Sequence, residues 1–132
     1  MPENVIGIHH IALKCQGVAE LDKTLHFYKE VLGLQEERRW GAGEQTGVML
    51  STGGGLLEIF ADATDRPQAG AVRHVALAVR DTEQAVAAVR AAGYTVTTPP
   101  TDICIPSEIP YPAKIAFCIG PVGEELEFFE EK

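Results

Sequence analysis

Two short segments of this chain are near copies of one another, His10-Ile11-Ala12-Leu13 and His74-Val75-Ala76-Leu77. About fifty residues after each comes an apolar stretch with one acid inside it, Leu56-Leu57-Glu58-Ile59-Phe60 and Leu126-Glu127-Phe128-Phe129. Each half of the chain therefore offers one imidazole and one carboxylate. Two neutral His, two Glu and a divalent cation sum to zero charge, and His nitrogen with carboxylate oxygen is a donor set that divalent transition metals accept. A metal site built by internal duplication is the chemistry to test.

The elements around these residues repeat as well. The first half predicts a strand near Gly7–Cys15 and a helix near Ala19–Leu32, with Leu21, Leu25, Tyr28 and Leu32 at helical spacing and Gly33 as its C-terminal stop. Strands follow near Leu34–Trp40, Thr46–Ser51 and Leu56–Ala61, separated by turns at Gly41, Gly43 and Gly53-Gly54-Gly55. A seam near Ala61–Gly70, containing Asp62, Asp65 and Pro67, divides the halves. The second half predicts a strand near Val72–Arg80 and a helix using Ala85, Val86, Val89 and Ala92. Asp81 would be its N-cap, with Gln84 three residues on, and strands follow near Tyr94–Thr98, Lys114–Ile119 and Glu125–Glu130. Pro99–Ala113 holds five prolines and predicts a long irregular binding loop. His10 and His74 are 64 residues apart, Glu58 and Glu127 are 69 apart, so the second half is slightly longer. The expectation is α+β: a strand–helix–strand–strand–strand module near 5–61 and a second near 70–131, within one domain spanning 1–132.

Side chains alternate across a strand. Ile11, Leu13 and Cys15 share one face of the first strand, opposite His10, Ala12 and Lys14. In the repeat, Val75, Leu77 and Val79 lie opposite His74, Ala76, Ala78 and Arg80. Leu57 and Ile59 lie opposite Glu58, and Leu126 and Phe128 opposite Glu127. All four candidate ligands thus fall on the face away from the helix-packing residues, with small Ala residues beside each His. A single His or Glu on a polar strand face is usually only solvated. A matched pair in each half, with each acid flanked by large apolar groups, needs a partner, because an unpaired buried carboxylate costs several kcal/mol. His9 has the opposite parity, and Arg73 stands at its place in the repeat, so it reads as a strand-end residue beside the site or on the surface, not a ligand. His26 reads as surface.

Composition bounds the rest. Net charge is −8 and the largest cationic cluster is Arg38-Arg39, which argues against a nucleic-acid or anionic-membrane partner but does not forbid an anionic substrate. No apolar run reaches the ~20 residues of a membrane helix. Met1-Pro2-Glu3-Asn4 is not the start of a signal peptide, so a cytoplasmic location is expected. Cys15, Cys104 and Cys118 are far apart and form no Cys-x-x-Cys pair; they read as free thiols, two on buried strand faces.

The chain resembles the vicinal oxygen chelate superfamily, and within it the small bacterial glyoxalase I-like (lactoylglutathione lyase-like) proteins. The matching segments are Ile8-His9-His10-Ile11-Ala12-Leu13, Phe27-Tyr28-Lys29-Glu30-Val31-Leu32-Gly33-Leu34, Leu57-Glu58-Ile59-Phe60, Arg73-His74-Val75-Ala76-Leu77-Ala78-Val79, and Gly120-Pro121-Val122-Gly123 before Leu126-Glu127-Phe128. The resemblance implies two β-α-β-β-β modules whose mixed sheets cup one metal ion. It places the ligands at His10, Glu58, His74 and Glu127, the four that strand parity selects. It implies Ni²⁺, Co²⁺, Zn²⁺, Mn²⁺ or Fe²⁺ as cofactor and a homodimeric assembly. Three departures stand out, the first being Gly120-Pro121-Val122-Gly123 where the family usually has Asp-Pro-Asp-Gly before the last strand. The Arg with which glyoxalases bind glutathione is Lys14 here, and the Asn that follows the second ligand in those enzymes has Asp62 as its nearest counterpart. The resemblance carries over the metal site and leaves open whether glutathione or another thiol is used.

The expected reaction is that of a metal-dependent lyase or isomerase. Vicinal oxygens of a small substrate, such as the hemithioacetal of methylglyoxal, would meet a Lewis acid, and a carboxylate would move a proton between adjacent carbons through an enediolate. Glu127 is the expected base and Glu58 the second. Lys14, Arg38 and Lys114 are candidates for an anionic substrate tail. The alternatives are an epimerase, an Fe²⁺ oxygenase, or a non-catalytic small-molecule binding protein using an aromatic cleft of Trp40, Phe60, Tyr111 and Phe129.

Overall fold

The computed structural model describes residue 4, residues 7–66 and residues 70–132. The expectations for Met1-Pro2-Glu3, residues 5 and 6 and Pro67 lie outside the described residues. The chain divides into two compact units, Met1–Arg66 and Pro67–Lys132.

The first unit contains β1 (His10–Lys14), α1 (Val18–His26), β2 (Gln35–Trp40), β3 (Gly47–Ser51) and β4 (Leu56–Phe60). Its sheet has the order β1-β4-β3-β2, with β1 and β4 parallel and the other pairs antiparallel. The α1 helix continues into a π-type turn over Phe27–Val31, where the Leu32 N–H reaches back to the Phe27 carbonyl at 3.0 Å. The chain leaves it through Gly33 at φ 81°, a left-handed conformation that favours glycine. Leu21, Leu25, Phe27 and Tyr28 of this helical segment are buried, as are Val48, Leu50, Leu57 and Ile59 of the sheet. Burying each large side chain contributes about 1.5–3 kcal/mol. The buried Cys15 thiol, at the end of the apolar face of β1, lies 3.4 Å from Thr24 Oγ1 of α1.

One irregularity decides which way β2 points its cations. Glu36 pairs with Leu50, but Arg38 already pairs with Met49, so Glu37 is an extra residue in a β-bulge. Simple alternation would put Glu36 and Arg38 on one face. The bulge instead puts Glu36 with Arg39 on the side of Val48 and Leu50, and turns Arg38 with Trp40 to the other. Glu36 accordingly accepts hydrogen bonds from Arg39 at 2.8 and 3.1 Å and from Lys29 at 3.0 Å. Those bonds, Arg39's first, hold its carboxyl down to about 2.

The second unit contains β5 (Val75–Ala78), α2 (Thr82–Ala91), β6 (Val96–Ile105), β7 (Tyr111–Ile119) and β8 (Glu125–Glu131), in the order β5-β8-β7-β6. Again the first and last strands are parallel and the rest antiparallel. The expected N-cap is present: Asp81 Oδ1 accepts from the Gln84 N–H at 3.0 Å. Glu130 of β8 accepts from the Thr82 N–H at 2.8 Å, tying the first turn of α2 to the sheet. Val86 and Val89 of α2 are buried, as are Ala116, Cys118, Leu126 and Phe128 of the sheet.

The proline-rich segment differs from expectation. Pro99–Ala113 is not one irregular loop: β6 runs on to Ile105 and β7 begins at Tyr111. The reason is position. β6 is an edge strand, where a missing N–H costs no ladder bond, and Pro99 and Pro100 sit in the register shift between Thr98 and Thr101. Only residues 106–110 remain as a turn.

Two predictions follow from these contacts. Asp81→Ala should destabilise the protein by about 1 kcal/mol in chemical denaturation, the usual cost of losing an N-cap side chain. Glu130 is held at about 2, below its ordinary 4.5, first by Lys132 and then by Thr82. A carboxyl lowered by folding stabilises the native state above the ordinary value, and that contribution is lost as the pH falls. The melting temperature should therefore drop between pH 4.5 and pH 2, and Glu130→Gln should flatten part of that drop.

Candidate functional site

The register of the parallel strand pair builds the same arrangement in each unit. In the first, Ala12 lies opposite Glu58, and His10 is two residues before Ala12 on the same face. A methyl group opposite the acid leaves space for the imidazole to lean across, and His10 Nε2 lies 3.3 Å from Glu58 Oε1. In the second, Ala76 lies opposite Glu127 and His74 is two residues before Ala76. There His74 Nε2 is 3.1 Å from Glu127 Oε1. The environments match too: the His side chains are 39% and 37% exposed, the Glu side chains 14% and 13%. The half-enclosed acids sit beside Met49 on β3 and Phe117 on β7 respectively. Phe117 also meets the His74 ring edge to face at 5.4 Å.

His9 has a role that alternation did not reveal. Its Nδ1 lies 2.9 Å from Nδ1 of His10, so one ring donates and the other accepts. With His10 Nδ1 occupied in this way, Nε2 is the nitrogen presented to Glu58. The only sequence signal was the adjacency of the two His.

The expected substrate-holding cations separate. Lys14 stays on the ligand face, 3.4 Å from Asp62 and with its ammonium 5.8 Å from the Phe60 ring centre. Arg38 is on the same face, in line across the sheet with Met49, Glu58 and Ala12. Lys114 is not. It pairs in register with Glu130, on the α2 side of the sheet, and its ammonium is 3.3 Å from Glu83 of α2. Strand parity, which turns Phe117 toward Glu127, turns Lys114 away. The four aromatic residues form one pair per unit: Trp40 with Phe60 at 6.1 Å and Tyr111 with Phe129 at 5.8 Å. Cys15 and Cys118 are buried and Cys104 is exposed; burial pushes the Cys118 thiol up to about 11, so it is not a nucleophile at neutral pH.

A model of the glyoxalase/bleomycin resistance protein/dioxygenase superfamily matches residues 7–108. The chain belongs to that superfamily. Among solved structures, a glyoxalase family protein from Enterococcus faecalis is 26% identical, with 95% of this chain and 98% of that one covered and a TM-score of 0.69. A trypanothione-dependent glyoxalase I from Leishmania major is 25% identical, covers 92% of this chain and 84% of its own, and has a TM-score of 0.66. An antibiotic-binding protein from a Streptomyces species shares the fold at a TM-score of 0.74 with 14% identity, over 99% and 100% of the two chains. No curated protein matches the chain.

Members of the superfamily typically bind a metal, which makes the fit of these residues a direct question. Two ligands each about 2.1 Å from one ion, and roughly at right angles, stand about 3 Å apart. The two His–Glu separations, 3.3 and 3.1 Å, match that spacing. They are equally within reach of a direct His–Glu ion pair. Each unit thus brings an imidazole nitrogen and a carboxylate oxygen to a spacing at which both could meet one ion. Among the described residues there is no group of three or more His, Cys, Asp or Glu that could hold a metal ion. The predicted ligands are brought together two by two, within each unit.

If His10 is a metal ligand as the sequence predicts, His9 supports it. His9→Ala should weaken divalent-ion binding roughly 10–100-fold, read by competition with a chromophoric chelator. Arg73→Ala, at the corresponding place in the repeat, should leave it unchanged. Equal affinities for wild type and His9→Ala would remove His9 from the site.

Proposed function

We propose that this protein is a divalent-metal-dependent lyase or isomerase of the glyoxalase I type, acting on a small substrate with vicinal oxygens. The observation that carries the reading is the His–Glu pair repeated at the same register offset, spacing and burial in both units. His10, Glu58, His74 and Glu127 would hold the ion. A bound divalent ion supplies Lewis acidity toward the substrate's oxygens and steadies the charge that develops there. The residues of the chain do the rest. Glu127 takes a proton from one carbon and returns it to its neighbour, and the substrate passes through an enediolate. Its strand neighbours Phe117 and Phe129 keep water away from that carboxylate. Glu58, in the matching environment, is the second candidate for the same step. The trypanothione-dependent relative from Leishmania major supports hemithioacetals as the substrate class, while Lys14 in place of the glutathione-binding Arg leaves the thiol open.

A second reading, small-molecule binding without turnover, draws on the exposed aromatic side chains Trp40 and Tyr111 near the ligand face. Elemental analysis with a hemithioacetal isomerisation assay after Ni²⁺, Co²⁺ or Zn²⁺ addition separates the two. The lyase should carry stoichiometric metal and turn over a methylglyoxal–thiol adduct. Glu127→Gln should lower the rate at least ~100-fold, the scale of a lost general acid–base group, and His74→Ala should release the metal. Metal binding without turnover of hemithioacetals would move the search to epimerase or oxygenase substrates. Absence of metal would leave the binding protein.

A further inference from the structure

The two ligand faces are alike at the His–Glu pair and unlike around it. On the first unit, Trp40 lies directly across from Gly47. A Cβ on Gly47 would fall 2.4 Å from Cε2 and Cζ2 of the indole, so the ring lies flat on the sheet where a side chain would otherwise stand. It meets Phe60 at an interplanar angle of 71° and remains 39% exposed. A flat apolar surface on this face is therefore open to solvent. Two cations flank it. Lys14 faces Phe60 across the β1–β4 pair, and Arg38 is two residues from Trp40 on β2. The bulge at Glu37 commits Arg39 to Glu36 and aims Arg38 at the ligand face, where it makes no ion pair among the described residues. The counterpart surface on the second unit has the opposite character. Phe129, which matches Phe60, faces Ala78 where Phe60 faces Lys14, and its aromatic neighbour Tyr111 hydrogen-bonds to Glu131.

We infer that the face of the first unit selects a substrate with a planar aromatic group and an anionic group. The aromatic body would stack on Trp40 with its edge toward Phe60, and the anion would pair with Arg38, with Lys14 at the far end. This rests on the reading of the His–Glu face as the reacting site. Chemistry favours the aromatic over an aliphatic chain because a flat exposed indole rewards a flat partner beyond the area covered. It favours an anion because an unpaired guanidinium beside an apolar platform presents five donors and no acceptor.

The chain contains one Trp, so its fluorescence reports this platform alone. Three probes separate the contributions: phenylglyoxylate, with aryl and carboxylate; pyruvate, the same 2-oxo acid with a methyl; and acetophenone, the aryl ketone without the anion. Titrations of the purified protein should give phenylglyoxylate binding about 3–10-fold tighter than pyruvate, the stacking contribution. Arg38→Ala should weaken phenylglyoxylate about 10–100-fold and leave acetophenone unchanged. Gly47→Ala, whose new methyl lifts the indole, should erase the preference for phenylglyoxylate over pyruvate. Equal binding of phenylglyoxylate and pyruvate by the wild type would overturn the inference, as would an Arg38→Ala variant with unaltered affinities. Binding is read here without turnover. An aryl preference in a protein that fails the hemithioacetal assay would therefore sink the lyase reading and keep this one, and hemithioacetal turnover without the preference would do the reverse.

Discussion

The structure depends on strand register. In each unit a parallel pair places an Ala opposite a Glu, and the His two residues earlier then reaches the carboxylate. The same alternation that aims Glu58 outward sends Leu57 and Ile59 into the core, and that of Glu127 buries Leu126 and Phe128. A slip of one residue would exchange the two sets. It would bury a carboxylate and expose two large apolar side chains, a change costing several kcal/mol. Core and site are therefore specified by one constraint, and neither can drift without the other.

That coupling explains where the two units agree and where they diverge. The His, the Ala and the Glu are matched to within 0.2 Å in spacing, 3.3 against 3.1 Å. Residues one step further out carry no such burden. His9 supports His10, while Arg73 occupies the same place before His74. Lys14 faces Phe60, while Ala78 faces Phe129. A bulge in β2 turns one Arg to each side of its sheet, and the second unit places its irregularities in β6, around two prolines. Duplication supplied the His–Glu pair in each half, and the surroundings are where charge and shape became different.

Helix attachment follows a similar division. Asp81 caps α2 from within its own loop, a local interaction. Glu130 reaches the same helix end from β8, a contact that exists only once the sheet is formed. Both place negative charge at the N-terminus of α2, where the helix dipole favours it.

Much of this was legible in the residues. The repeat, the strand–helix–strand–strand–strand order, the Asp81 cap and the outward face of His10, Glu58, His74 and Glu127 follow from periodicity, because side chains alternate on a strand whatever it pairs with. What the chain alone did not reveal belongs to pairing. Five prolines read as a loop, yet most of that segment is a hairpin: Pro99 and Pro100 fall in an edge strand, which tolerates a residue without an N–H, Pro106 and Pro110 in the turn, and Pro112 near the start of β7. Lys114 and Arg38 looked equivalent as cations. A bulge turned Arg38 to the ligand face, and the β7–β8 register turned Lys114 toward α2. The contact of His9 with His10 likewise needed coordinates. Composition and period determine which face a residue prefers; which neighbours share that face is decided by register, a property of two strands that neither one encodes alone.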